Sequence, residues 1–303
     1  MYFTLLKVQK FFEAVYQSFI SMLRVILRFR FRKGFEKTAS AGESVFVLAN
    51  GPSLRRDLDK YSTQLSSCTT MGVNLFMLSE DFTRVKPVYY IIVDVVILRE
   101  QTLERIRDSR DRMLKALQEK LDWSMTLFLP VEGKNSFFHR QLVSAGLPVS
   151  IIFFNRTSID GLKALRHRMY SRGWGMPPPQ NVLIGALMAA IHCGFKRIYV
   201  LGADHSWHEG IHIEDSGEMK ITDRHFYNLK GKKLPKHHGD SLEQFMIHDY
   251  FNELSRTFKS HILVQDYAHS KGVEILNASS VSYIDAYRKI KPENIPWDHL
   301  RER

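Results

Sequence analysis

Residues 180–207, QNVLIGALMAAIHCGFKRIYVLGADHSW, decide the fold. They read as a loop, an apolar helix, a glycine turn, a buried strand and a polar cluster. Pro177, Pro178 and Pro179 forbid helix ahead of Gln180, because proline lacks an N–H and restricts the residue before it. Asn181 is a good N-cap for a helix running to about Cys193, Gly194 supplies the stop, and Arg197–Leu201 is a short apolar strand. Gly202, Asp204, His205, Ser206 and Trp207 follow at once. In open α/β sheets, ligands sit beyond the carboxyl ends of the strands. The unit therefore offers a bare helix start suited to an anion and a strand end suited to chemistry. The competing reading is an ordinary helix–strand unit whose Asp204 and His205 cap a turn.

Working outward, Val45–Leu48 is another buried strand and runs into Asn50-Gly51-Pro52-Ser53. Gly51 lets the backbone approach a ligand, Pro52 fixes the turn, and Asn50 and Ser53 offer hydrogen bonds. This turn lacks the Gly-Lys-Thr of a phosphate-binding loop and the glycine spacing of a dinucleotide fingerprint. Thr69–Val73 ends in Asn74 and Val88–Val93 ends in Asp94. Polar residues at several strand ends converge on one edge if the sheet is parallel. Gln101–Leu121 reads as a solvated helix, and Met125–Leu129 and Ser150–Phe154 as further strands. Ser241–Lys271 is a long helix, Val273–Leu276 a last strand with Asn277 at its polar end, and Tyr283–Ile290 a closing helix. The expected architecture is α/β: a Rossmann-like, mostly parallel sheet with helices on both faces, filling residues 39–303.

The segment from about 205 to 240 is polar and reads as a lid. Its His205, His208 and His212 raise the question of a metal, but they lack a clear ligand geometry, and neither metal nor cofactor is assigned. His248 shares a helical face with Phe245 and Phe251. A half-buried imidazole beside a pocket makes it the candidate general base.

Net charge is +11 and the cysteines are two, Cys68 and Cys193, with no metal spacing and no disulfide framework. No nucleic-acid motif accompanies the charge, so nucleic acid is not an expected partner. Positive charge concentrates in residues 1–38, where Lys7, Lys10, Arg24, Arg28, Arg30 and Arg32 interrupt dense apolar positions. The longest uncharged run, Ala14–Leu23, is shorter than the roughly 20 residues that span a bilayer. Residues 1–37 are therefore expected to form a basic amphipathic helix lying on an anionic membrane. The alternative is packing on the body of the protein or on a second copy in a homo-oligomer.

Three stretches carry a resemblance: the Asn50-Gly51-Pro52-Ser53 turn, GFKRIYVLGADHS over Gly194–Ser206, and NASSVS over Asn277–Ser282. Over about Val45–Tyr287 the chain resembles two related groups. One is a bacterial domain similar to archaeal MptE-type 6-hydroxymethylpterin diphosphokinases. The other is the bacterial CMP-sialic-acid-dependent sialyltransferases. The resemblance implies that Asn50 and Asn74 contact the donor, with Asp94 where those enzymes have a third asparagine. Gln180 and Asn181 stand in place of their Arg-x-Thr-Ser loop. Asp204, His205 and Ser206 occupy the region where their tyrosines favour departure of the phosphate. Their base is a histidine after the lid, which implies His248, with His205 and His238 as alternatives.

The resulting expectation is a membrane-associated, inverting glycosyltransferase at the cytoplasmic face of the inner membrane. It would move a sugar, such as a CMP-linked nonulosonic acid, from a nucleotide donor to a cell-surface glycan or glycolipid. His248, His205 and Asp204 are its expected catalytic groups. Two rivals remain: a magnesium-dependent diphosphokinase using ATP, with Asp94 and Asp204 on the metal, and a non-catalytic scaffold of a polysaccharide assembly complex.

Overall fold

The computed structural model describes residues 2–28, 35, 42–226, 228–235 and 246–300. In chain order the elements are α1 (Tyr2–Leu27), β1 (Ser44–Leu48), α2 (Leu54–Ser66), β2 (Thr70–Val73), α3 (Asp81–Val85), β3 (Tyr89–Ile91) and α4 (Glu104–Lys120). Then come β4 (Met125–Pro130), α5 (Phe137–Ser144), β5 (Val149–Phe154), α6 (Lys163–Ser171), α7 (Val182–Cys193) and β6 (Arg197–Leu201). The chain closes with β7 (Ile211–Ile213), β8 (Met219–His225), β9 (Asn228–Pro235), α8 (Ile247–Ser270), β10 (Glu274–Asn277) and β11 (Arg288–Lys289).

Eight strands form one parallel sheet in the order β11-β10-β6-β1-β2-β3-β4-β5. The chain builds outward from β1 to β5, returns through α6 and α7, and lays β6 on the other side of β1. Alternation along each strand divides the core in two. Val45 and Val47 of β1 and Ile198 and Val200 of β6 pack with α7 and α8 on one face. Phe46, Leu48, Tyr199 and Leu201 pack with α2 and α4 on the other. Both faces are covered, so all of β1 is buried, as parallel strands in such sheets are. Helix α7 is apolar all round and buried along nearly its whole length, the signature of a helix inside a core. A Cβ on its Gly185 would come within 2.6 Å of Val93 Cγ2, so this glycine sets how closely α7 approaches the sheet.

The structure revises two expectations. Residues 283–290 are not a helix; they hold the loop leading to the edge strand β11. The lid is not irregular: β7, β8 and β9 form an antiparallel sheet, turning at Ser216-Gly217, with Gly217 at φ +80°. Its Met219 and Ile221 pack with Tyr250 and Leu254 of α8, which gives the lid a small core of its own. The long helix is described from Ile247 onward, and its expected start at Ser241 lies outside the described residues.

Helix α1 rests one narrow face on the body. Ser18 Oγ accepts the Leu162 N–H at 2.8 Å, and Ser21 Oγ donates to Asp160 O at 2.9 Å. Gly161 lies between them at φ +115°, and a Cβ there would fall 2.6 Å from Ser18 N. The rest of α1 is open: Phe12 is 64% exposed and Phe19 66%. Among the described residues, no helix is long and apolar enough to cross a membrane. Gly161→Val should push α1 off its seat, because overpacking costs about 1–3 kcal/mol. Tryptic cleavage after Arg24 and Arg28 should then accelerate about tenfold, while far-ultraviolet circular dichroism of the sheet stays native. An unchanged cleavage rate would show that the seat does not hold the helix.

Candidate functional site

The sheet order places a topological switch between β1 and β6. Connections leave these neighbouring strands in opposite directions, which opens a crevice beyond their carboxyl ends. Asn50 and Gly51 enter it from β1, Asn74 from β2, Asn181 from the start of α7, and Gly202 to Trp207 from β6. The lid closes the cavity with Glu209, Gly210, Thr222, Arg224 and His225.

Two glycines make the crevice floor. The Gly51 N–H donates to Gly202 O at 2.8 Å. A Cβ on Gly51 would lie 2.4 Å from both Gly202 O and Asp204 Oδ1, so the two strand ends meet only because Gly51 has no side chain. Gly202 turns at φ +67°, a conformation glycine adopts without steric cost. Asp204 is then gripped from the other strand. Ser53 donates its N–H to Oδ2 at 2.9 Å and its hydroxyl to Oδ1. Burial raises the Asp204 pKa, and these Ser53 bonds oppose the rise. Below it on α2, burial lifts Asp57 to about 6 against hydrogen bonds from Ser280.

His205 holds a left-handed backbone at φ +52° and is buried. Its ring packs on Trp207 with centroids 4.4 Å apart. Asn181 Nδ2 lies 3.0 Å from His205 Nε2, and His261 Nε2 lies 2.9 Å from the same nitrogen. His261 Nδ1 in turn is 2.8 Å from the Tyr287 hydroxyl. The tautomers follow from the cap. Asn181 Oδ1 accepts the Ile184 N–H at 3.2 Å, so its Nδ2 must face His205 and donate. His205 Nε2 is thus an acceptor and its proton sits on Nδ1. His261 donates from Nε2 and accepts the Tyr287 proton at Nδ1. Burial pushes His205 down to about 3 and His261 well below the ordinary histidine range, the latter also through its neighbour His205. Both rings are neutral at pH 7. Among the described residues His205 Nδ1 has no hydrogen-bond partner, so the chain of rings ends as an N–H donor on a cavity-lining residue.

Two acceptors complement this donor. Asn50 Nδ2 donates to Val73 O at 3.2 Å, which leaves its Oδ1 buried without a partner. Asn74, at φ +43°, likewise has a buried Oδ1 with no donor. Buried carbonyl oxygens without partners cost free energy and mark where a ligand or water belongs.

Other expected site residues fall elsewhere. Asp94 does not line the cavity; it is exposed, and its Oδ1 closes a turn on the Val96 N–H at 2.9 Å. Gln180 is exposed outside the lining. His248 is not half-buried: its side chain is 71% exposed beside Asp249, because it faces away from the packed side of α8. Asn277 is buried but braces rather than lines: its Nδ2 donates to Ser282 Oγ at 2.9 Å, and its Oδ1 accepts the Ser279 N–H at 3.2 Å. That loop supports the Ala203 backbone through Ser279 Oγ and Ser282 Oγ. His208 packs against Tyr283, and His212 lies 3.0 Å from Thr222 Oγ1, so the lid histidines take separate partners. His238 lies outside the described residues. Sequence reasoning missed His261 and Tyr287. The available signal was a histidine in step with Leu254, Phe258, Val264 and Ala268 on the apolar side of α8.

No protein-family model and no curated protein sequence matches the chain. Among solved structures, it is similar to the MAf glycosyltransferase from Magnetospirillum magneticum AMB-1, with a TM-score of 0.53 and 11% sequence identity. The similarity covers 91% of this chain and 39% of that one, so this chain spans well under half of its structural neighbour. At that identity the likeness establishes a shared fold.

The hydrogen-bond chain fixes an observable. Histidine-selective 15N spectra at pH 7 and pH 5 should show both rings neutral, with the proton of His205 on Nδ1 and that of His261 on Nε2. Tyr287→Phe removes the donor to His261 Nδ1 and should shift the resonances of both rings. A His205 proton found on Nε2 would reverse the assignment.

Proposed function

We propose that this chain is a glycosyltransferase that binds a nucleotide-activated sugar at the β1/β6 crevice and transfers the sugar to an acceptor hydroxyl. The observation that carries the reading is the meeting of Asn50, Asn74 and Asn181 on one cavity, two of them with carbonyl oxygens lacking donors. Ribose hydroxyls, sugar hydroxyls and an exocyclic base amine are donors of the kind these oxygens need. The shared fold with a glycosyltransferase supports the same class. The CMP-linked nonulosonic acid donor remains the finer reading, drawn from the resemblance of the Asn-Gly-Pro-Ser turn.

Transfer needs stabilisation of the departing phosphate and removal of the acceptor proton. The start of α7 and the His205 Nδ1–H supply donors for the phosphate. A neutral, proton-bearing His205 is a donor at rest and not a base. His248 points into solvent. We assign the acceptor proton to Asp204, the carboxylate at the junction of both strand ends, which burial makes more basic than an ordinary aspartate. Positioned acid–base groups typically contribute about 10²- to 10⁴-fold. The diphosphokinase alternative loses support, because Asp94 does not share the cavity with Asp204.

The decisive measurement is a thermal-shift panel of CMP, UDP, GDP and ATP, each with and without magnesium. A ligand at 100 times its Kd stabilises by about 2.7 kcal/mol. We expect a magnesium-independent rise with CMP that Asn50→Ala and Asn74→Ala each reduce. A response confined to ATP with magnesium would favour pyrophosphate transfer, and no response to any nucleotide would end the reading.

We also propose that α1 attaches the protein peripherally to the cytoplasmic face of the inner membrane, beside a glycolipid or surface-glycan acceptor. Its exposed Phe11, Phe12, Phe19 and Leu27 lie among exposed Lys7, Lys10, Arg24 and Arg28. Each basic residue near an anionic surface contributes about 1 kcal/mol. The protein should float with phosphatidylserine-containing vesicles, less with phosphatidylcholine alone, and much less after joint Phe12→Glu and Phe19→Glu substitution. Failure to float with anionic vesicles would refute the attachment.

A further inference from the structure

A second, more open pocket adjoins the cavity and shares Pro52, Asp204, Ser206, Glu209 and Arg224 with it. Its remaining lining includes Ser53, Arg55, Arg56 and Asp59. By count the charges balance, three arginines against three carboxylates. By pairing they do not. Arg55 is spent on Asp59, with Nη2 to Oδ1 at 2.6 Å, and on Asp81, with Nη1 to Oδ2 at 2.7 Å. Asp204 is held by Ser53, and Glu209 accepts the Tyr283 hydroxyl. Arg56 and Arg224 are left, and among the described residues neither side chain makes a hydrogen bond or ion pair. Arg56 acts only through its field on buried Asp57 and Asp204. The unspent charge of the pocket is therefore positive.

The two guanidinium groups also come from different layers. Arg56 stands in the first turn of α2, fixed to the main sheet through β1. Arg224 stands on β8 of the lid. An anion that engages both would tie the lid to the body.

We propose that Arg56 and Arg224 form an oxyanion clamp that binds a carboxylate or phosphate group on the sugar end of the substrate and ties the lid to the body. The glycosyl ligand whose anion it holds rests on the reading given under Proposed function; the clamp itself needs only an oxyanion. Guanidinium groups suit this role because their planar fork matches the oxygens of a carboxylate or phosphate. The cavity beside the clamp already supplies neutral partners for hydroxyls, so the substrate class is a sugar bearing a negative group.

The test avoids nucleotides. Wild-type protein, Arg56→Gln and Arg224→Gln are titrated with sodium D-glucuronate, sodium N-acetylneuraminate and sodium phosphate. Sodium chloride at matched ionic strength and neutral D-glucose are the controls. Binding is read by calorimetry, and anchoring of the lid by the rate of tryptic cleavage within residues 228–235. At least one oxyanion should bind the wild type and slow cleavage, and each single variant should bind it about tenfold more weakly or worse. A response to the acidic sugars alone identifies the group as a sugar carboxylate, and a response to phosphate alone as a phosphoryl group. Wild-type-like binding in both variants, or no oxyanion binding beyond chloride, overturns the clamp. Arginine-dependent oxyanion binding in a protein that no nucleotide stabilises would keep the clamp and end the glycosyltransferase reading, so the two failures are distinct.

Discussion

The carboxylate of Asp204 reaches from the end of β6 to the first turn after β1 and takes two hydrogen bonds from Ser53, a residue 151 positions away in the chain. Everything at the crevice depends on this grip. A buried carboxylate left unpaired is expensive, and hydrogen bonds to a charged acceptor are roughly twice as strong as neutral ones. The grip forces the two strand ends to approach until only Gly51 and Gly202 fit between them. It also fixes where the chain leaves β6, so that His205, the next residue, swings into a left-handed backbone with its ring toward Asn181 and His261. The Asn277–Ser282 loop finishes the work from behind, holding Ala203 on both its N–H and its C=O.

From that placement follows an electrostatic character that residue identity alone would not give. A histidine lining a cavity is usually taken as a base or an acid near neutral pH. His205 is neither at rest. Burial removes its charge, and the cap on α7 decides which nitrogen keeps the proton. The same asparagine thus does two jobs: Oδ1 closes a helix start and Nδ2 sets a tautomer. The asparagines and the two rings offer neutral hydrogen-bonding groups, Asp204 and Glu209 are already partnered, and among the described residues Arg56 and Arg224 stand at the edge with unpaired side chains.

Much of this was legible in the residues. Strands read as continuous apolar runs, because a sheet covered on both faces leaves no polar side to show. The helix Val182–Cys193 was bounded by an asparagine cap and a glycine stop, and both appear, with Gly194 at φ +94°. The convergence of Asn50, Asn74 and Asn181 followed from parallel strands and short turns. What failed were inferences that needed tertiary knowledge. Asp94 looked like its neighbours at strand ends but belongs to β3, away from the switch point, and its side chain satisfies its own turn. His248 was placed by helical periodicity on the face of Phe251, yet the packed stripe of α8 runs through Tyr250 and Leu254, and His248 and Phe251 lie off it. His261 was invisible because a polar residue on an apolar stripe declares no partner until the opposite elements are in place. The lid read as a loop because its two-residue alternation is short and diluted by lysines. Residues 283–290 failed for the opposite reason: apolar spacing imitated a helix where the chain instead wraps Tyr287 inward.

The strand order also sets a schedule during synthesis. Strands β1 to β5 can assemble as soon as they emerge, but the second edge of β1 has no partner until Arg197–Leu201 arrives. At translation rates of about 5–20 residues per second, that edge stays open for roughly 8–30 s. An apolar strand with unpaired backbone groups is a template for joining other nascent chains. The central position of β1, which makes the finished sheet cohesive, is therefore also what leaves the half-made polypeptide with an open strand edge.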